Sequence, residues 1–186
     1  MLAPMTDAKS QVDALAGSRL WTPAGFREDE WSHVESGEAL AGNGRFILPL
    51  QSFLALDPEQ RKSARERLGV LLQPGDKLDS ILGMLDQLSL VALAFPAFSD
   101  GRSFSKAELL RSRHGFEGKI RATGQVLIDQ LPHMLRLGFD EFEVSHPVLI
   151  GRLEKGDVGG LGLAYQPTSA TVGKPGKYSW RRGGPD

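Results

Sequence analysis

Ser99, Asp100, Arg102, Ser103 and Ser105 crowd into one short stretch, directly after the most apolar run of the chain (residues 88–95) and Pro96. Three hydroxyls, a carboxylate and a guanidinium supply donors and charge for an oxyanion such as phosphate or sulfite. An apolar run that stops at a proline and gives way to such a set is how a buried parallel strand ends where its carboxyl edge opens into a site. A helix is predicted to follow at once, so its free backbone N–H groups face the same edge. The competing reading is purely local: Asp100-Gly101 makes a turn, Ser105 caps the helix and Arg102 pairs with Asp100.

Arg121 is the second candidate, because an arginine inside a covered sheet is costly unless it is paired. It reads either as scaffolding, paired with a carboxylate such as Asp100, or as a clamp over the strand ends for a bound anion. Asp129 and Gln130 fall near the start of the next helix, on the same predicted edge. There Asp129 either matches the helix dipole or, near two arginines, tunes a site. The candidate set is therefore Asp100 and Asp129 for proton chemistry, with Ser99, Arg102, Ser103, Arg121 and Gln130 for ligand binding. Tyr165-Gln166 is a further candidate lining pair, and His114, beside a capping glycine, reads as serving a helix C-terminus.

Some chemistry is excluded outright. The chain has no cysteine, so disulfides, thiol redox cycles and cysteine-ligated metal centres are out of reach. Its 4 histidines, His33, His114, His133 and His146, show no metal-ligand spacing. No phosphate loop of the G-x-x-x-x-G-K-[ST] kind and no complete G-x-G-x-x-G occurs, so no cofactor is named by motif. A net charge of −1 argues against nucleic-acid and polybasic membrane surfaces. Residues 1–20 lack an apolar signal core and no run approaches membrane-spanning length, so a cytoplasmic protein is expected.

The elements that must position these residues follow from patterning. Residues 20–23 and 31–34 flank a polar turn around Gly25 and predict an N-terminal β-hairpin or meander. Residues 45–50 read as a strand, and Asp57-Pro58-Glu59-Gln60 as a helix start, with the helix closed by Gly69. Then strand and helix alternate: strands at 69–72, 88–95, 119–123 and 139–144, and helical patterns at 76–87, 105–115 and 126–137. Ser105 to Glu108 has the form of a capping box. Pro132 predicts a kink or a later start for the third of these helices, and residues 146–155 a short further one.

Such alternation means βαβ units on a mostly parallel α/β sheet, either open or a partial TIM-like barrel. Four such strands are half of the eight that a full barrel takes. An irregular C-terminal tail completes the expected architecture. Residues 1–19 read as a flexible extension, 20–166 as one domain with a core of its own, and 167–186 as a flexible basic tail.

The ordered set Phe95-Pro96-Ala97-Phe98-Ser99-Asp100-Gly101-Arg102-Ser103-Phe104-Ser105, Leu109-Leu110-Arg111, Gly118-Lys119-Ile120-Arg121-Ala122-Thr123-Gly124, Asp129-Gln130-Leu131 and Gly138-Phe139-Asp140 resembles the bacterial family DUF934. The resemblance runs from about Arg45 to Val144, with Tyr165-Gln166 as a later echo. It implies a role in sulfite reduction, as an oxidoreductase or as an accessory protein, with the sulfite or nitrite reductase haemoprotein as partner. A cysteine is common in the family before the Gly-Phe-Asp motif; Leu137 stands there in this chain, so that thiol chemistry is absent. Two other classes stay open on the residues alone. One is a small-molecule lyase or isomerase on a partial barrel; the other is a non-catalytic interaction module.

Overall fold

A tight hairpin, β1 (Arg19–Thr22) and β2 (Gly25–Arg27), precedes six further strands, β3 (Trp31–His33), β4 (Arg45–Pro49), β5 (Leu68–Leu72), β6 (Leu90–Phe95), β7 (Lys119–Gly124) and β8 (Glu141–Val144). The structure is a computed structural model that describes residues 17–97 and 100–159. The strands form one sheet in the order β2-β1-β8-β7-β6-β5-β4-β3. From β3 to β8 every pairing is parallel and follows chain order. The hairpin then adds antiparallel to β8, with Leu20 opposite Glu143. The sheet is therefore mixed, where the sequence predicted a mostly parallel one. The α/β class and the N-terminal hairpin stand.

The hairpin differs from the expected one in its second strand. Its partner strand starts at Gly25, whose φ of 108° a side chain would disfavour. Trp31–His33 instead crosses to the opposite edge of the sheet, beside β4. Asp29, between β2 and β3, stays exposed while its carboxylate reaches a buried arginine described below.

Parallel strands in sequential order need right-handed crossovers on one side, so one face carries the helices. These are α1 (Leu50–Leu54), α2 (Pro58–Ser63), α3 (Arg102–Ser112), α4 (Leu131–Leu137) and α5 (Pro147–Glu154). Val70, Leu72, Val91, Leu93, Phe95, Ile120, Ala122 and Phe142 alternate along the strands onto that face. They share one core with Phe53, Leu110, Leu131, Met134 and Leu149 of the helices. The opposite face carries Trp31, Ile47, Leu90 and Ala92 as a second, small apolar cluster, beside the buried polar residues Arg121, Thr123 and Glu143.

What covers that second face is the sheet itself. His33 on β3 and Glu143 on β8 approach to 2.8 Å, although four strands lie between them in the sheet order. In a flat sheet five inter-strand steps would separate them by roughly 24 Å. The parallel strands therefore curl into a half-barrel whose first and sixth strands meet through side chains. Gly69 faces the inside of the curl, where a Cβ would lie 3.2–3.3 Å from Trp31, Ile47 and Leu90.

Local propensity decided the remaining differences. Asp57 and Gln60 make the predicted capping box, with Pro58 at the helix start. That helix stops at Ser63, however, and Gly69 lies inside β5 rather than capping it. The pattern at 76–87 forms two 3-10 turns, Leu78–Ser80 and Leu82–Gln87. The pattern at 126–137 becomes a helix only from Leu131, with Pro132 in its first turn, where a missing N–H costs nothing.

Candidate functional site

The carboxyl edge of β6 ends at Phe95, and Phe98 and Ser99 lie outside the described residues. α3 begins at Arg102 behind Gly101, so Ser105 is inside the helix and caps nothing. The cause is Asp100, whose carboxylate accepts from the Arg102 backbone N–H at 3.2 Å, from its Nε at 3.0 Å and from its Nη2 at 2.7 Å. That clasp starts the helix one turn before the Ser105-to-Glu108 pattern. Hydrogen bonding from Arg102, outweighing the cost of desolvation, brings the Asp100 pKa down to about 2. The Arg102 side chain remains 66% exposed.

Ser103 turns the other way. It is fully buried, and its hydroxyl donates to the Ala94 carbonyl at 2.7 Å, fastening α3 to β6. Lys106, one turn on, is buried and donates to the carbonyls of Gln73 at 3.0 Å and Pro74 at 2.7 Å beyond β5. Burial lowers its pKa. Sequence reasoning missed this lysine because a lone Lys in a helix reads as solvated. Its spacing from Ser103 and Leu110 on one helix face is the signal available. Beside them, Gly124 has φ 98°, and a Cβ there would sit 2.5 Å from the Phe95 carbonyl oxygen. The ends of β6 and β7 thus approach closer than any side chain allows.

Asp129 is exposed in the turn before α4, and Gln130 is half-buried at the N-cap position of that helix. Among the described residues no ion pair joins Asp129 to Arg102 or Arg121.

Arg121 is not at the edge. It is fully buried inside the curl. Its Nη1 donates to Asp29 at 2.8 Å and Glu143 at 2.9 Å, its Nη2 to Asp29 at 3.0 Å and Glu141 at 2.7 Å, and its Nε to Glu141 at 3.0 Å. A guanidinium has five N–H donors, and here all are taken by carboxylates. The partner is therefore not Asp100, and no donor is left to clamp an anion. Burial alone would lower the Arg121 pKa; Asp29, Glu143 and Glu141 outweigh it and raise it. Glu143 also takes hydrogen bonds from His33 at 2.8 Å and Thr123 at 2.5 Å. Burial pushes its carboxyl up, but His33, Arg121 and Thr123 more than offset this and bring it to about 2. The parity of Arg121-x-Thr123 and Glu141-x-Glu143 on neighbouring strands is a legible signal. Asp29 and His33, far off in sequence, gave none.

At the amino ends of the same strands Arg111 acts as a staple. It donates to the carbonyls of Gly138 at 3.0 Å, Gly118 at 2.9 Å and Phe116, and pairs with Asp140. Asp140 in turn accepts from the Ile120 N–H at 2.9 Å. This accounts for the Leu-Leu-Arg and Gly-Phe-Asp motifs as scaffolding between α3 and the starts of β7 and β8. Leu137, the residue before the Gly-Phe-Asp motif, is buried in the core. His114 has its backbone N–H on the Leu109 carbonyl at 3.1 Å, at the close of α3.

Tyr165-Gln166, the residue 1–16 part of the N-terminal extension and the basic tail lie outside the described residues. Among the described residues no three His, Asp or Glu side chains converge to hold a metal ion, and no helix is long and apolar enough to cross a membrane. A family model described as "Bacterial protein of unknown function (DUF934)" matches residues 69–173, more than half of the chain. No curated protein matches it.

Proposed function

We propose that this chain, which belongs to the DUF934 family, is an accessory protein of assimilatory sulfite reduction that holds an oxyanion at the β6–α3 edge. The observation that carries the reading is the Asp100–Arg102 clasp. It fixes an exposed guanidinium at the first residue of α3, where the positive end of the helix also favours an anion. The sulfite link itself comes from the family resemblance and is an associational warrant.

Holding fits this edge better than proton transfer. A carboxylate brought to about 2 by its arginine is a weak base near neutral pH, which counts against Asp100 as the base of a lyase or isomerase. Ser103 and Arg121, the other strong candidates, are spent on the protein's own backbone and carboxylates. With such an edge the hard redox chemistry belongs to a partner, the sulfite or nitrite reductase haemoprotein, and the role of this chain is to bind it or to present its anion.

The test is the melting temperature of the pure protein against sulfite, sulfate and phosphate, then with the reductase added. A ligand of the native state raises the melting temperature by mass action. The expected result is a concentration-dependent rise that vanishes in Arg102→Ala while the unliganded variant melts normally. Absence of any rise with the anions and of any complex with the reductase would overturn the proposal.

A further inference from the structure

The family match runs to residue 173, past Gly159, the last described residue. Where that further stretch of chain starts is fixed by close contacts. The Asp157 carboxylate accepts from Arg152 Nε at 2.8 Å and from the Gly159 N–H at 2.9 Å. Gly159 has a φ of 73°, and a Cβ there would lie 2.7 Å from the Ile128 carbonyl oxygen and 3.2 Å from Ile128 Cγ1. Only a glycine permits that approach, so the chain continues from a point pressed against the turn after β7.

Ile128 in that turn and Val158 beside Gly159 both pack on the core, yet each keeps part of its apolar surface open. The turn belongs to the same end of the sheet as Arg102. The Gln125 N–H donates to the Phe95 carbonyl at 2.7 Å, and Ser103, next to Arg102, is bonded to Ala94. In the sequence that follows, Leu161, Leu163 and Tyr165 recur at every second residue, with Gly162, Ala164 and Gln166 between them. Extended backbone puts such residues on one side. Tyr165 is six residues beyond Gly159, a reach of about 20 Å at most, which keeps it near this end of the sheet. A tyrosine ring suits the border of an apolar surface, with its hydroxyl at the polar side.

We propose that the open apolar surface of Ile128 and Val158 is the seat of residues 161–165, which brings the Tyr165 hydroxyl to the β6–α3 edge as a further donor to the oxyanion. The seat stands on the contacts at Gly159; the donor role rests on the oxyanion reading of that edge.

The chain has 2 tyrosines, Tyr165 and Tyr178, so full-length protein labelled with 3-fluorotyrosine gives two ¹⁹F signals, assigned with Tyr178→Phe. In the folded protein the Tyr165 signal should be displaced from its position in urea. Leu163→Asp should return it there and shift the backbone amides of Ile128 and Val158. Sulfate or sulfite should move the Tyr165 signal saturably, and Tyr165→Phe should weaken sulfate binding about tenfold, as losing a hydrogen bond to a charged group does. Arg102→Ala should abolish the response to the anion and leave the displacement. A Tyr165 signal at its urea position in folded protein, or Ile128 and Val158 amides that ignore Leu163→Asp, would overturn the seat. Undiminished sulfate binding in Tyr165→Phe would overturn the donor role. If Tyr165 is displaced as described but no anion raises the melting temperature, the oxyanion reading fails and takes the donor role with it, while the seat stands.

Discussion

Arg102 and Arg121 both pair with carboxylates through short hydrogen bonds, yet they occupy opposite regimes. Arg102 pairs with a residue two positions away, on the surface, with most of its side chain in water. Arg121 gathers Asp29 from the segment before β3 and Glu141 and Glu143 from β8, and has no exposed surface. An exposed pair contributes little to stability and leaves its charge usable; a buried one is strongly destabilising to break, since the partners left behind are uncompensated. The same residue type thus serves as a handle at one site and as a strut at the other.

The sharpest way to break this comparison is Arg121→Ala. It leaves three carboxylates facing one another, and equilibrium urea unfolding should show a loss of about 3–5 kcal/mol or no folded protein at all. Next comes acid. The Glu143 carboxyl titrates near 4.5 when unfolded and at about 2 in the folded protein. Its contribution is therefore complete above the unfolded value and is lost as pH falls from about 4.5 toward 2. Unfolding curves across that window should lose a few kcal/mol, and Glu143→Gln should flatten the dependence. Gly124→Ala follows, at about 2 kcal/mol or more, because both its positive φ and the Phe95 carbonyl oppose a Cβ. Arg102→Ala closes the series, with a melting temperature within about one degree of the parent.

Much of the sheet was legible strand by strand, because the strands from Arg45 on are short and bounded by turn residues and alternate with helical patterns; the order of the strands was left open between an open sheet and a half-barrel. The curl was not legible. It is imposed by side chains that meet across the sheet, His33 with Glu143 and Asp29 with Arg121, and neither Asp29 nor His33 carries a local sign of its partner. The hairpin was misjudged for the same reason, since Trp31 pairs best by local spacing and is held away from β1 by long-range contacts. At the candidate edge the turn at Asp100-Gly101 and the Arg102 pair were readable from adjacent residues. Ser105 was misread as a cap because the Asp100 clasp starts the helix earlier, and a capping pattern says nothing of a competing start upstream. Lys106 was hidden by its type: the physics that buries it is two backbone carbonyls beyond β5.

The most direct test of the strut is a double-mutant cycle between Asp29 and Arg121, using Asp29→Asn, Arg121→Met and the pair in urea unfolding. Residues in one buried ion network couple by about 0.5–3 kcal/mol. A coupling in the upper half of that range is predicted, since Asp29 meets Arg121 through two bonds across the curl. Additive losses, with no coupling, would mean that the segment before β3 does not close on the sheet in solution and would contradict the account of Arg121 as scaffolding.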